Sequence, residues 1–149
     1  MILAYHAIFT TYGTWLPNDP RGSYSKEIYN QELALLGDIR YGRQNPQPDK
    51  ERLRRFWTAA EPKLSRRPFF LDSATRPLVA RAFGEVARRL GLVVRACAIL
   101  NDHVHVVVMR SGHRIEYLVG QLKATATRAL AQAPTPWARG CWKVFLNDE

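Results

Sequence analysis

Two histidines, His103 and His105, stand one residue apart in the run Asn101-Asp102-His103-Val104-His105-Val106-Val107-Val108. In an extended chain, residues i and i+2 point to the same side. The spacing therefore sets two imidazoles side by side, while Val104, Val106 and Val108 project the other way. Two neutral ring nitrogens so placed can share one divalent cation. The plainer alternative is a pair of exposed strand histidines that hold nothing. Imidazole donors alone do not choose the ion, and a softer metal is compatible with them.

A second group of residues has chemistry for phosphate. Between Arg40 and Arg67 there are nine basic residues and three acidic ones, within a chain whose formal net charge is +9. Arg52, Arg54, Arg55, Arg66 and Arg67 are the candidates. Such contacts supply affinity and salt dependence without reading sequence. Phe56, Trp57, Phe69 and Phe70 interleave with them, and both base stacking and core anchoring fit. A basic domain with no nucleic-acid role is the competing reading of the charge, since charge describes a field and not a site. Cys97 and Cys141 show neither paired metal spacing nor a disulfide framework, so they read as buried thiols of a reducing cytoplasm.

These residues need elements to position them, and 149 residues suffice for one domain with a core. Leu3–Thr11 is rich in aromatic and β-branched types and reads as a first strand, with no basic leader of a secretion signal. Residues 17–70 form a long excursion, with a short helix expected from about Asp49 to Trp57. Helical periodicity runs from Ser73 to Leu90, capped by Asp72 or Ser73 and closed by Gly91. Leu92–Leu100 reads as a buried strand, Asn101-Asp102 as a turn, and His103–Met109 as the next strand. A second helix spans Ile115 to Gln132, stopped by Pro134 and Pro136, and Cys141–Leu146 is the last strand. The order is the α+β, ferredoxin-like βαββαβ arrangement, an antiparallel sheet with two helices on one face. The valines of the histidine strand suit the covered face, which leaves His103 and His105 on the open one. No apolar run approaches the length of a membrane span, and a cytoplasmic protein is expected.

Asp102-His103-Val104-His105-Val106 resembles the His-hydrophobic-His motif of the HUH endonuclease superfamily. The likeness is closest to its single-tyrosine transposases, including the REP-associated tyrosine transposases and those of the smallest bacterial insertion sequences. Tyr5-His6, the run Thr11-Tyr12-Gly13-Thr14-Trp15-Leu16-Pro17, Leu122-Lys123 with Thr127-Arg128, and Trp137 ahead of Trp142 agree with it. The resemblance implies an HUH metal site at His103 and His105 holding Mg²⁺ or Mn²⁺, and Lys123 and Arg128 as further DNA contacts. It implies single-stranded or hairpin DNA as partner and a homodimer as assembly. The reaction it implies is metal-dependent cleavage and strand transfer through a phosphotyrosine.

In such enzymes the nucleophilic tyrosine and a polar third metal ligand lie on a helix after the final strand. This sequence is expected to end, at Leu146-Asn147-Asp148-Glu149, where that helix begins, so that both are missing. Tyr117 is the substitute candidate, because Gln121 follows it at helical spacing. Its helix, however, is the one expected to cover the valine face. A hairpin-binding protein that has kept the fold and lost the nucleophile is the alternative expectation.

Overall fold

Alternation of apolar and polar residues with period two builds the sheet, and it is clearest in the third strand. The computed structural model describes residues 1–148. β1 is Ile2–Thr10, β2 Val94–Ile99, β3 His103–Met109 and β4 Trp142–Asn147. They form one sheet in the order β2-β3-β1-β4, each neighbouring pair antiparallel. Burial along β3 alternates strictly, with Val104, Val106 and Val108 inside and His103, His105 and Val107 half-exposed.

Among the described residues the α-helices are α1 (Gln31–Ala34), α2 (Lys50–Ala60), α3 (Thr75–Leu90) and α4 (Ile115–Ala129). Val79, Ala82, Phe83 and Val86 of α3 join Leu118, Val119, Leu122 and Ala126 of α4 in one core with the three valines, Ala7 and Phe9. Both helices thus lie on the valine face of the sheet. This is the expected ferredoxin-like α+β architecture, and the face carrying His103 and His105 is the one opposite. Asp72 holds the entry to α3, its carboxylate accepting from the backbone N–H groups of Ala74 and Thr75 at 3.0 and 2.8 Å. Gly91 closes it in the left-handed region at φ 63°. α4 ends before Gln132 because Ala131 takes φ 51°.

Two expectations need correction. β2 is not a buried strand: it occupies the sheet edge, and Val94 through Ala98 are exposed. A continuous apolar run has the same composition whether one flank or two are paired, so the run itself does not separate edge from centre. Cys97 shares that exposure and Cys141 is only half-buried, so neither is the enclosed thiol expected from the sequence.

The chain divides into two compact units, Met1–Tyr12 with the chain from Phe69 onward, and Gly13–Pro68. The excursion therefore has organisation of its own. Leu16, Leu33 and Ala60 form its core, with Ile28, Leu36, Phe56, Trp57 and Leu64 packed around them. Asp19, fully buried, receives Arg21 through Nε to Oδ1 at 3.0 Å and Nη2 to Oδ2 at 2.7 Å. The same guanidinium lies 3.8 Å from the centre of the Trp15 ring. Gly22 adopts φ 91°, and a Cβ there would meet the Gly42 carbonyl oxygen at 1.8 Å, so glycine is required.

Candidate functional site

The open face of the sheet is assembled by register. Ile8 of β1 stands opposite His105, Thr10 opposite His103, and His6 opposite Val107. His6 is thus the diagonal neighbour of His105, within reach of a side chain across the pair. Its Nε2 lies 3.0 Å from His105 Nδ1, with the ring centroids 5.3 Å apart and the ring planes inclined by 27°, so the two rings meet end to end. The ring centroids of His103 and His105 are 4.9 Å apart. Trp142, which pairs with Ile8 from β4, sets its ring edge against His6 at 6.4 Å.

His103 is held from the turn that precedes it. Its Nδ1 lies 2.6 Å from Asp102 Oδ1. Asp102 is fixed in turn by Thr11, whose backbone N–H and hydroxyl both donate to the Asp102 carbonyl, at 2.9 and 3.2 Å. With an ionised carboxylate at Nδ1, the proton sits on that nitrogen and the lone pair on Nε2, the pattern that orients histidines for metal ligation. Burial, then the nearby His103 and His6, hold His105 below the ordinary histidine range, which favours the neutral form a metal ligand needs.

As a donor set, two neutral imidazoles on one face fit a divalent ion. Among the described residues, no group of three or more His, Cys, Asp or Glu side chains is placed to hold a metal. Water or phosphate oxygens would have to complete the coordination. In the sequence Asp102 belongs to a turn and to the family-like motif, with no contact to His103 assigned, and His6 enters through the family likeness. Asp102 was open to discovery from its place beside His103, whereas His6 required the β1–β3 register.

Tyr117 lies on α4, 46% exposed, with its ring 5.2 Å from that of His113. The layer of Val104, Val106 and Val108 separates this helix from the histidine face. Tyr5 is likewise on the helix side, edge-on to Phe145 at 5.7 Å. Neither tyrosine is brought to His103 and His105.

Of the basic candidates, Arg52, Arg54 and Arg55 lie exposed along α2, whose opposite side sends Phe56 and Trp57 into the core of their unit. Arg55 makes an exposed i,i+4 pair with Glu51, at 3.8 Å. Arg67 is exposed and Arg66 half-buried. In the other unit Arg128 is exposed, donating to Thr125 Oγ1 at 3.1 Å. Phe69 packs on the main core, and Phe70 is the exposed member of the four aromatics.

Lys123 is occupied differently. Its Nζ donates to the carbonyls of Ala138 and Gly140, at 2.8 and 2.5 Å, and stands over the Phe9 ring. This ties α4 to the segment that leads into β4. Burial lowers its pKa to about 8 from an ordinary 10.5. The unfolded chain therefore binds more protons between those values, and this residue's contribution to stability rises with pH across that window. Lys123→Met leaves two carbonyls without their donor, a loss of about 1–3 kcal/mol. In urea denaturation its deficit against wild type is expected to widen from pH 8 to pH 10.5.

A ferredoxin-like α+β unit with a His-Val-His strand at the centre of its sheet, histidines on the open face, is the class that fold and site define. No protein-family profile matches the sequence, and no curated protein matches it. Among solved structures, the fold is similar to that of a REP-associated tyrosine transposase bound to a REP hairpin. The identity there is 10% and the TM-score 0.53, over 99% of this chain and 58% of that one. It is similar also to a candidate transposase from Deinococcus radiodurans, at 16% identity and TM-score 0.50, over 99% of this chain and 82% of that one. This chain spans little more than half the length of the REP-associated transposase. The likeness to these two transposases is one of three-dimensional fold.

Proposed function

We propose that this protein is a transposase-type single-stranded DNA-handling domain, in which His103 and His105 hold a divalent ion, Mg²⁺ or Mn²⁺, at a DNA phosphate. The carrying observation is the pair of imidazoles on the open face of the sheet, His103 oriented by Asp102. When bound, the ion supplies Lewis-acid polarisation of a phosphate oxygen. The chain's own residues orient the ligand nitrogens through Asp102 and Thr11 and offer an exposed basic helix face for phosphates. DNA hairpins are the substrate class favoured, because the REP-associated transposase of similar fold is bound to one.

Cleavage and strand transfer through a phosphotyrosine require a tyrosine hydroxyl to attack phosphorus while a 3′-oxygen leaves. Tyr117 and Tyr5 on the helix side favour a second reading for these residues, a hairpin binder that does not itself cut. The test is a labelled single-stranded hairpin mixed with the protein and Mn²⁺, followed by denaturing electrophoresis. Metal-stimulated hairpin binding without an adduct supports the second reading, and an adduct supports cleavage. An adduct lost in Tyr117→Phe would overturn the placement of Tyr117 away from the site. Equal affinity for hairpin DNA, duplex DNA and RNA would overturn the assignment of substrate.

The basic face has its own signature. Each single-strand phosphate contact contributes a slope of about 0.7 to the logarithmic dependence of affinity on salt. Replacing Arg52, Arg54 and Arg55 together by glutamine is expected to weaken hairpin binding and flatten that slope by about 2. Lys123→Met, whose ammonium is engaged with carbonyls, should leave the slope unchanged. Fluorescence anisotropy over a range of salt concentrations reads both.

A further inference from the structure

His6 has no role in the reading above, yet it is a direct polar neighbour of the site. Its Nε2 faces His105 Nδ1 at 3.0 Å. At that separation one nitrogen carries the proton and the other the lone pair, so the contact couples the tautomers of the two rings. If His105 accepted at Nδ1, its Nε2 would bear hydrogen and could not ligate. If it donates from Nδ1, its Nε2 lone pair is exposed for coordination. His103 already shows the corresponding arrangement, with Nδ1 turned to Asp102 at 2.6 Å. In both rings of the pair it is the same nitrogen that is turned toward a fixed protein partner, from β1 in one case and from the preceding turn in the other.

We infer that His6 is a positioning residue, accepting the Nδ1 proton of His105 so that the two imidazoles of the pair present Nε2 together to one ion. This rests on the assignment of His103 and His105 as metal ligands. A histidine does here for His105 what a carboxylate does for His103. Position 6 is suited to it because the antiparallel register of β1 on β3 puts that residue diagonally across from residue 105, on the same face. The two rings approach end to end with their planes inclined by 27°, the near-coplanar geometry that an N–H···N bond between ring nitrogens prefers. A neutral acceptor, unlike a carboxylate, adds no negative charge beside a phosphate backbone.

Nitrogen NMR on the histidine-labelled 149-residue chain, at a pH where the imidazoles are neutral, reads the tautomer directly. The wild type is expected to show His105 protonated on Nδ1. His6→Ala should move that proton to Nε2, the tautomer favoured by an unrestrained imidazole. His6→Gln should restore the Nδ1–H form, because its amide oxygen can accept the same hydrogen bond. Calorimetric titration with Mn²⁺ should follow the same order, with affinity falling about 10–100-fold in His6→Ala and recovering largely in His6→Gln. His105 protonated on Nε2 in the wild type, or unchanged in His6→Ala, overturns the inference. Absence of Mn²⁺ binding by a wild type whose tautomer responds to His6 overturns the ligand assignment instead. The backbone amide spectrum of each variant shows whether the fold is intact, and His6→Gln, similar in reach, keeps the test decisive should His6→Ala unfold.

Discussion

Trp137→Ala is expected to remove a large part of the folding stability of the sheet-and-helix unit. Trp137 is 3% exposed and meets Phe9 edge to face, with centroids 5.4 Å apart. Its indole N–H donates to the Lys123 carbonyl at 3.1 Å, and its backbone bridges to Thr11. Truncating a buried tryptophan to alanine costs about 3–5 kcal/mol, against a total of about 5–15 kcal/mol for a typical domain. The effect should extend to the site, since Thr11 is the residue that fixes the Asp102 carbonyl. Urea denaturation followed by circular dichroism measures the loss, with Trp142→Ala on the half-buried open face as the milder control. A loss below about 1 kcal/mol would contradict the packing described for Trp137.

How far such an arrangement was legible in the sequence depended on whether the signal was local. β3 could be bounded at His103 and Met109 because valine and histidine alternate with a period that only a half-buried strand satisfies. α3 and α4 followed from helical spacing of apolar residues, and the strand-helix order then selected the ferredoxin-like topology. Edge placement of β2 was hidden because hydrophobicity reports burial potential and not which neighbour is present. The internal core of the Gly13–Pro68 unit was hidden as well. Its buried residues, Leu16, Leu33 and Ala60, are scattered among prolines, glycines and charges with no shared period. At the site, the His103–His105 pair is a two-residue pattern and was read directly. The approach of His6 spans 99 positions and depends on strand register, which neither local pattern nor composition specifies.

His103→Ala and His105→Ala are each expected to abolish measurable Mn²⁺ binding, the largest functional effect of any single change in this chain. With His103 and His105 as the proposed donors among the described residues, removal of either leaves one neutral nitrogen. Loss of an orienting partner alone weakens a metal site about 10–100-fold, and loss of a ligand must exceed that. The two single variants should be as defective as the double, because neither remaining histidine can chelate alone. Folding should be little affected, since both side chains lie on the open face while the core is built from Val104, Val106 and Val108. Calorimetry with Mn²⁺ and thermal melting of the same samples separate the two effects. The Asp102→Asn variant adds a further discrimination. An amide at that position can offer either an oxygen or an N–H to His103 Nδ1, so the lone pair on Nε2 is no longer enforced. It should lie between wild type and His103→Ala in affinity while keeping wild-type stability. Unchanged Mn²⁺ binding in both histidine variants would instead leave the pair as two exposed strand residues, and the metal reading would fail with them.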